Sequence, residues 1–345
     1  MLAISERQEY CIKEVKRLTK DLEIFMPVRL KDVAAAARVS IALVSNYVNG
    51  KSTTRMSNAT RERIDKALRE LNYRPNPLAR MLRTGNKNRT VGIITAGLKN
   101  EVNLQTVLAF QQHLLERDYN SLIYYTRNEL GLLRTGCQEM LCRGCAGVIV
   151  HSQKWYVEDL ALPQVVVSAD LRRETALPEV FCDYRPGVEA LLDHLVSLGH
   201  QRILFLTYSH NRSCRQEIFA ERFGTANMAF VSSNAELTPD KAGEILQQHP
   251  GVTAAFCSND LLALALREAL IRRGMKVPED FSVAGFDNTQ LSQFCGLTTV
   301  DQAIERRAVS AVNALLNILE NRSDPVEHCI PAELILRNSC SHIKK

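Results

Sequence analysis

Residues 30–50, LKDVAAAARVSIALVSNYVNG, constrain the fold most because they encode two short helices separated by a tight turn. The alanines at 34–37 allow two helix backbones to approach closely, and Ser40 is a good N-cap for a second helix that runs to about Val48. Apolar residues of both helices have the spacing of one shared buried face: Val33, Ala37, Val44 and Val48. This pattern is typical of a helix-turn-helix, whose second helix enters the major groove of DNA.

The segments that follow extend this pattern. Residues 57–60 open a third predicted helix, with Ile64, Leu68 and Leu71 on one face. A basic segment comes next at residues 74–85, RPNPLARMLRTG, in which a proline suits the first turn of a short helix. Helices of this length are marginal alone in water, so we expect this one to need a partner.

Positive charge is concentrated in the same region. The chain has a net charge of +5, yet residues 27–90 contain 14 lysines and arginines against 4 acidic residues. Ordinary solvation of helices explains mixed charges, but it does not explain a local excess of one sign. A basic segment on an acidic body predicts a domain that contacts nucleic acid.

The bulk composition describes a globular chain. At 345 residues it is long enough for more than one domain and a large core. No apolar run is long enough to span a bilayer and no secretory signal is evident, so we expect a cytoplasmic protein without a membrane partner. Ten cysteines without a secretory signal suggest free thiols in a reducing compartment.

Three of the cysteines have a spacing that can hold an iron–sulfur cluster or zinc: Cys137, Cys142 and Cys145. No fourth ligand is obvious, and the three lie on a predicted helix that leads into a buried strand. We therefore expect structural or incidental thiols, and no metal or other cofactor.

From Thr90 onward, predicted buried strands alternate with predicted helices. TVGIITAG, AGVIVHS and RILFLTY are strand-like, whereas VLAFQQHLLERDY and GVEALLDHLVSLGH are helical. This alternation predicts parallel sheets covered by helices on both faces.

Taken in order, these segments resemble the LacI/GalR family of bacterial transcriptional repressors. Further landmarks of the family are SLGHQRILFL, CSNDLLALALREAL, VPEDFSVAGFDNTQL, LTTVDQ and LILRNSC. The resemblance implies an N-terminal all-α helix-turn-helix headpiece plus a hinge helix, followed by an α/β periplasmic-binding-protein-like effector domain of two parallel-sheet subdomains. It also implies that the chain crosses between the subdomains three times, near Arg185, Val300 and Ser323.

The predicted domains are an N-terminal extension at 1–27, a helix-turn-helix DNA-binding domain at 28–74, a hinge helix and linker at 75–89, and an effector-binding and dimerisation domain at 90–345. The amphipathic extension would suit an extra helix at a dimer contact. Alternatively, because MPVRL at residues 26–30 looks like a normal start for this family, the extension follows from a mis-assigned start. We favour the second explanation.

The resemblance also implies a set of DNA contacts. Ile41, Ala42 and Asn46 would meet base edges, where Asn46 can pair with adenine and the other two can contact thymine methyls. The remaining predicted contacts are mainly to the backbone: Lys31, Ser40, Ser45, Asn49, Ser57, Thr60, Tyr73 and Asn76. The alternative for Tyr73 and Asn49 is fold packing and a helix C-cap, and for Ser57 it is N-capping, which is compatible with a phosphate contact.

The hinge helix would act in the minor groove. Leu82 matches the leucine that such proteins insert at the operator centre, and Arg80 and Arg83 would flank it on phosphates. A basic linker is the alternative, although an apolar leucine among arginines argues against it. Arg38 departs from the family because it stands where a glycine is usual in the turn. A non-glycine residue at positive φ there costs about 1 kcal/mol.

Three residues match effector-binding positions of the family: Arg215, Asn259 and Asp287. A guanidinium, an amide and a carboxylate suit the hydroxyls of a sugar or nucleoside, although Asn259 and Asp287 could simply cap a helix and a strand. Further candidates are Ser168, which stands where many relatives have a sugar-binding aspartate, and the nearby Asp170. Trp155 could stack on a ring, or it could be a surface or interface residue. The arginines at 172, 173, 212 and 215 would also suit an anion, but charged loop residues are usually solvated.

These features together predict a transcriptional regulator, most simply a repressor. A homodimer would bind a pseudo-palindromic operator of double-stranded DNA, and a small-molecule effector, a sugar or sugar derivative, would control that binding. No heptad tail follows Arg337, which favours a dimer over a tetramer. The alternatives are a solute-binding protein with the same body fold and an α/β enzyme. No catalytic motif supports the enzyme.

Overall fold

The computed structural model of the protein describes residues 28–48, 56–73, 88–98, 101–152, 157, 160–168, 176–208 and 213–343. The chain divides into two compact units between Asn86 and Lys87. The N-terminal extension and the predicted hinge helix lie outside the described residues. Within the described residues, no helix combines the length and apolarity needed to cross a membrane.

Three helices form the described part of the first unit, which we call the headpiece. They are α1 Leu30–Ala37, α2 Ile41–Val48 and α3 Asn58–Glu70. The predicted N-caps are confirmed, because the Ser40 hydroxyl accepts a hydrogen bond from the Leu43 amide at 3.2 Å and the Ser57 hydroxyl accepts one from the Thr60 amide at 3.2 Å.

One apolar cluster holds the headpiece together. Its buried members come from all three helices: Val33, Ala34, Ala37, Val44, Ile64 and Ala67. Leu68, Leu71 and Val48 pack against it while partly buried. The predicted apolar face is therefore confirmed, and the small residues of α1 are the ones that permit close helix packing.

The turn between α1 and α2 is closed by a left-handed residue. Arg38 has φ 54° and ψ 51°, and the Val39 amide donates to the Ala34 carbonyl at 3.0 Å. This is the position at which a glycine is favoured after a helix. The expected positive φ at Arg38 is confirmed.

The first sheet of the second unit is parallel throughout. Its strands are β1 Thr90–Thr95, β2 Asn120–Tyr125, β3 Gly147–His151, β4 Gln164–Val167, β5 Glu179–Asp183 and β11 Cys329–Pro331. Their spatial order in the described chain is β11, β5, β4, β3, β1, β2. The helices packed on it are α4 Glu101–Leu115, α5 Leu130–Cys142 and α11 Ile304–Glu320.

The second sheet is also parallel. Its strands are β6 Ile203–Tyr208, β7 Met228–Val231, β8 Ala254–Cys257 and β9 Ser282–Ala284, in the order β7, β6, β8, β9. The surrounding helices are α6 Arg185–Ser197, α7 Cys214–Phe223, α8 Pro239–Gln248, α9 Asp260–Arg272 and the short α10 Gln290–Phe294, with a 3₁₀ turn at Asn234–Glu236. Every residue of β3, β4 and β8 is buried, as expected for strands covered on both faces.

The chain crosses between the two subdomains near Arg185, where β5 leads into α6, and after β10 Thr299–Asp301, where it enters α11. The first two predicted crossings are confirmed. The third prediction, near Ser323, is wrong: β11 still pairs with β5 in the first sheet, and the crossing follows Pro331. Strand β12 Glu333–Ile335 then pairs antiparallel with β10. Because β11 belongs to the first sheet, the chain leaves the first subdomain only after Pro331.

Candidate functional site

The first turn of α2 presents an exposed apolar surface. The Ile41 side chain is 52% exposed, Ala42 beside it is exposed, and Asn46 on the next turn is half-buried. An isoleucine held in water gains free energy from an apolar contact, and a thymine methyl offers one. The structure thus places the three predicted base-reading residues on adjacent turns of one helix.

Small polar side chains surround the starts of these helices. Ser40 and Ser57 are exposed at the starts of α2 and α3, and the hydroxyl oxygens of Ser57 and Thr60 lie 2.9 Å apart. Lys31 is exposed on α1. Helix N-termini with free amide groups attract phosphates, so capping does not prevent these residues from contacting DNA.

Other predicted contacts point into the headpiece. Ser45 is only 5% exposed, so its hydroxyl lies inside the unit rather than on its surface. Tyr73 is half-buried and packs against the apolar cluster, which is the packing role considered as its alternative. Sequence reasoning missed Tyr47, whose hydroxyl donates to Asp65 at 2.8 Å and ties α2 to α3.

Several predicted site residues lie outside the described residues. On the DNA side these are Asn49, Asn76, Arg80, Leu82 and Arg83, and on the effector side they are Trp155 and Asp170, together with the arginines at 172, 173 and 212. Their proposed roles depend on the sequence alone.

A cavity of about 500 Å³ lies at the carboxyl ends of the second-sheet strands. Parallel sheets bind ligands at this edge. The cavity lies between the subdomains, because Glu101 of the first lines it together with residues of the second: Tyr208, Asn259, Leu261, Leu264, Asp287, Thr289 and Leu291. Two of the three predicted ligand residues, Asn259 and Asp287, therefore line one cavity.

Arg215 is the third predicted ligand residue, at the start of α7. Its Nη1 donates to the Ser258 carbonyl at 2.7 Å, and its guanidinium lies over the Phe286 and Tyr184 rings, 4.6 and 5.4 Å from their centroids. Its Nε is buried without a hydrogen-bond partner among the described residues. The side chain is thus oriented on three sides and keeps a donor available for a ligand.

Asn259 has both of the roles considered for it. Its side-chain oxygen accepts from the Leu262 amide at 2.8 Å and caps α9, as in the simple structural explanation. The same side chain lines the cavity beside Tyr208, so the cap positions its amide nitrogen at the ligand edge.

Asp287 has an unusual backbone and an unusual charge state. Its φ is 126°, a conformation that side-chain-bearing residues rarely adopt and that is concentrated at functional sites. Burial raises the pKa of Asp287 to about 8, although the nearby Arg215 guanidinium opposes this shift. The carboxyl also accepts a hydrogen bond from the Gln302 amide. Burial therefore favours the protonated form of this carboxyl.

Asp260, which sequence reasoning missed, positions the loop that follows Asp287. It is fully buried, and one of its oxygens accepts from the Thr289 amide at 2.8 Å and the Thr289 hydroxyl at 3.0 Å. Its other oxygen accepts from the Thr299 hydroxyl. Asp260 thereby fastens the segment after Asp287 to the start of α9.

The first subdomain contributes a different group at the carboxyl ends of its strands. The Ser168 hydroxyl donates to Glu179, and the Ser168 carbonyl accepts from Nη1 of Arg307 at 3.2 Å. Arg307 is only 1% exposed and was not predicted. The available signal was its position: in α11 it falls on the apolar stripe with Ala311 and Leu315.

The three clustered cysteines do not point to a metal. Cys137 and Cys145 are buried and Cys142 is exposed, all as free thiols. Among the described residues, no group of three histidine, cysteine or acidic side chains is arranged to hold a metal ion.

Comparison with known proteins assigns this arrangement to a family. The description of bacterial regulatory proteins of the lacI family matches residues 29–76, which include the headpiece helices, and that of a periplasmic binding protein-like domain matches residues 192–340. The headpiece is thus a lacI-family helix-turn-helix domain, and the second unit carries a periplasmic-binding-protein-like domain. The lacI family consists of bacterial regulatory proteins, and the curated relatives are transcriptional repressors rather than enzymes.

Individual relatives match the chain along most of its length. The HTH-type transcriptional repressor PurR of Haemophilus influenzae (strain PittEE) is 26% identical over 343 residues, covering 91% of this chain and 99% of the relative. The protein of the same name from Aliivibrio salmonicida (strain LFI1238) is 28% identical over 322 residues, covering 85% and 92%. The lac repressor dimer bound to operator and the anti-inducer ONPF gives a TM-score of 0.73 at 24% identity, covering 92% of this chain and 100% of that chain. The predicted fold class is confirmed.

Proposed function

We propose that this protein is a sequence-specific repressor whose operator binding is controlled by a small molecule in the cleft of its second unit. The observation that supports this most is the presence, in one chain, of an exposed apolar surface on a helix-turn-helix and a cavity between two subdomains that is lined by both polar and apolar side chains. A solute-binding protein has no use for the first feature. The proposal places the protein in the cytoplasm, with its DNA.

On the DNA side, Ile41, Ala42 and Asn46 would contact base edges, while Lys31, Ser40, Ser57 and Thr60 would contact phosphates. Two apolar side chains at the base-reading positions favour operators with thymine methyls at those steps. The hinge segment would add the Leu82 wedge and the Arg80 and Arg83 phosphate contacts in the minor groove. Residues 28–74 and 75–89 would thus form one DNA-binding region that contacts both grooves.

We also propose that the protein acts as a homodimer through the first subdomain. Strand β2 is an edge strand, and its Ile123 and Tyr125 side chains are exposed. Leucines 104, 108 and 115 of the neighbouring α4 are exposed as well. Large apolar side chains gathered on one edge are typical of an interface, and a two-fold pair would match a pseudo-palindromic operator.

In the cleft, Arg215, Asn259 and Asp287 would bind the hydroxyls of a sugar or sugar derivative. The Thr207, Ser213 and Ser258 hydroxyls are buried without a hydrogen-bond partner among the described residues, so further polar groups at this sheet edge are free to pair with a ligand. The Phe286 and Tyr184 rings hold the Arg215 guanidinium in place. Ligand binding would change the arrangement of the subdomains and hence operator affinity.

The test is selection of bound sequences from random double-stranded DNA with the full chain, followed by gel-shift assays on the selected site. We expect a pseudo-palindromic site whose affinity falls steeply with salt, because much of the binding is to phosphates. Ile41→Ser should change the preferred bases, whereas Leu141→Ser, at an exposed apolar residue of α5, is the matched control. Selection of no common sequence would exclude the repressor and favour a solute-binding role.

A further inference from the structure

Arg307 is a buried cation with an unfilled hydrogen-bonding edge. It lies on α11, in the first subdomain, and is 1% exposed. Its Nη1 donates to the Ser168 carbonyl at 3.2 Å. Its Nε and Nη2 are buried, and no described residue accepts a hydrogen bond from either. Buried polar groups are nearly always paired, so this edge requires an explanation.

No ion pair between described residues includes Arg307, and the buried Glu179 carboxylate accepts from the Ser168 hydroxyl instead of the guanidinium. Burial, together with the charge of Arg307, lowers the pKa of His151 to about 3, so that ring is neutral. Asp287 is close enough to interact electrostatically, but burial raises its pKa to about 8 and so favours its neutral form. Arg215 brings a second guanidinium near Asp287. The site thus holds a buried guanidinium with an unpaired edge, which is unfavourable until an acceptor binds to it.

The free edge has a defined chemical preference. In a guanidinium, the Nε–H and Nη2–H bonds lie on the same side and point in nearly parallel directions. They match two oxygens of one carboxylate or phosphate group, the pairing for which arginine is best suited. The Nη1 bond to the Ser168 carbonyl fixes the plane of the group from the opposite side, so the edge is oriented before a ligand arrives.

We propose that the effector is an anion, a small molecule whose carboxylate or phosphate binds side-on to Nε and Nη2 of Arg307. This inference rests on the proposed effector site, and it names the charge of the ligand. The anionic end would lie on the first subdomain, and the hydroxyls would meet Arg215, Asn259 and Asp287 on the second. Since the edge of Arg307 is shielded from solvent in this structure, the ligand reaches it when the subdomains separate.

Thermal unfolding of the full chain with defined probes tests the proposal. The probes are inorganic phosphate, D-gluconate and the neutral match D-glucose, all at equal ionic strength set with sodium chloride. We expect phosphate, gluconate or both to raise the Tm saturably, by about 3–6 °C at ten times the dissociation constant. Which of the two acts distinguishes a phosphate from a carboxylate ligand. If neither anion shifts the Tm beyond the glucose and chloride controls, the proposal is wrong.

Variants at two adjacent arginines assign the effect. Arg307→Met should abolish the anion-dependent shift, and Arg307→Lys should lose most of it because an ammonium cannot form the side-on pair. Arg306→Met is the matched control, since Arg306 is exposed and pairs with Glu327 at 2.8 Å and Glu333 at 3.1 Å. That variant should retain the full shift. Equal anion shifts in Arg307→Met and the parent chain would overturn the proposal.

The stability of the variants without anion provides a second readout. If the Arg307 guanidinium is unpaired until a ligand binds, Arg307→Met should have an unchanged or higher Tm in chloride, because an apolar side chain replaces an unpaired buried charge. A large fall in Tm would instead show that the protein itself satisfies Arg307, which contradicts the proposal. None of these measurements uses DNA. If an anion raises the Tm through Arg307 but leaves operator affinity unchanged, the anion site is upheld and control of DNA binding by that ligand is refuted.

Discussion

Replacing Arg38 with glycine should stabilise the headpiece, because Arg38 holds a left-handed backbone between α1 and α2 with φ 54° and ψ 51°. This conformation costs a residue with a side chain about 1–2 kcal/mol. Glycine avoids that cost but loses about 0.5–1 kcal/mol more chain entropy on folding. The Arg38 side chain is exposed, and no ion pair between described residues includes it, so its removal should cost little. We therefore expect a net gain of about 0.5–1 kcal/mol.

Hydrogen exchange followed by mass spectrometry on the full chain isolates this effect in the headpiece. A gain of about 0.5–1 kcal/mol should slow exchange of the protected α1 and α2 amides about two- to five-fold, with no change in the second unit. Arg38→Ala is the matched control, since it removes the same side chain but keeps a Cβ in the left-handed region. If the alanine variant is protected as well as the glycine variant, the backbone explanation is refuted and the arginine side chain itself is responsible.

Three further predictions concern the hinge and the cleft. Leu82→Ala should weaken specific operator binding far more than nonspecific DNA binding in gel shifts, and equal losses would reject the wedge. Burial raises the pKa of Asp287 to about 8, so ionisation of this carboxyl destabilises the folded protein as the pH rises from about 4 through 8. Asp287→Asn cannot ionise and should therefore raise the Tm at pH 8 but not at pH 4. Gly285→Ala should lower the Tm, because an added Cβ would lie against the Asp260 carboxylate and 2.9 Å from Leu297. Gly131→Ala is the control: its Cβ would meet nothing within 4 Å, so its Tm should not change.

The headpiece was predictable from the sequence because its determinants are local. Helix caps at Ser40 and Ser57, the spacing of Val33 and Val44, and the replacement of a turn glycine by Arg38 all act within a few residues. The alternation of buried strands and helices was equally informative, since a parallel strand covered on both faces is apolar along its whole length. The structure confirms each of these features.

The cleft was only partly predictable because its groups meet through long-range contacts. Arg307 and Ser168 are 139 residues apart in the chain and are joined by one hydrogen bond. An arginine on the apolar stripe of α11 signals a buried charge, but the pattern alone does not show which groups surround it. The third crossing was misplaced for a related reason: three residues of β11 join the first sheet, and so short a strand has little sequence signal.

The position of Arg307 also explains how an anion could act as a switch. A ligand shifts an equilibrium between two arrangements only if it binds them with different affinities. Arg307 belongs to the first subdomain, whereas Arg215 and Asp287 belong to the second, so a ligand that contacts all three gains its full binding free energy in one arrangement only. A neutral sugar would meet the hydroxyl-binding side and leave the Arg307 edge unpaired. An anion also relieves the buried charge, so it favours the bridged arrangement more strongly.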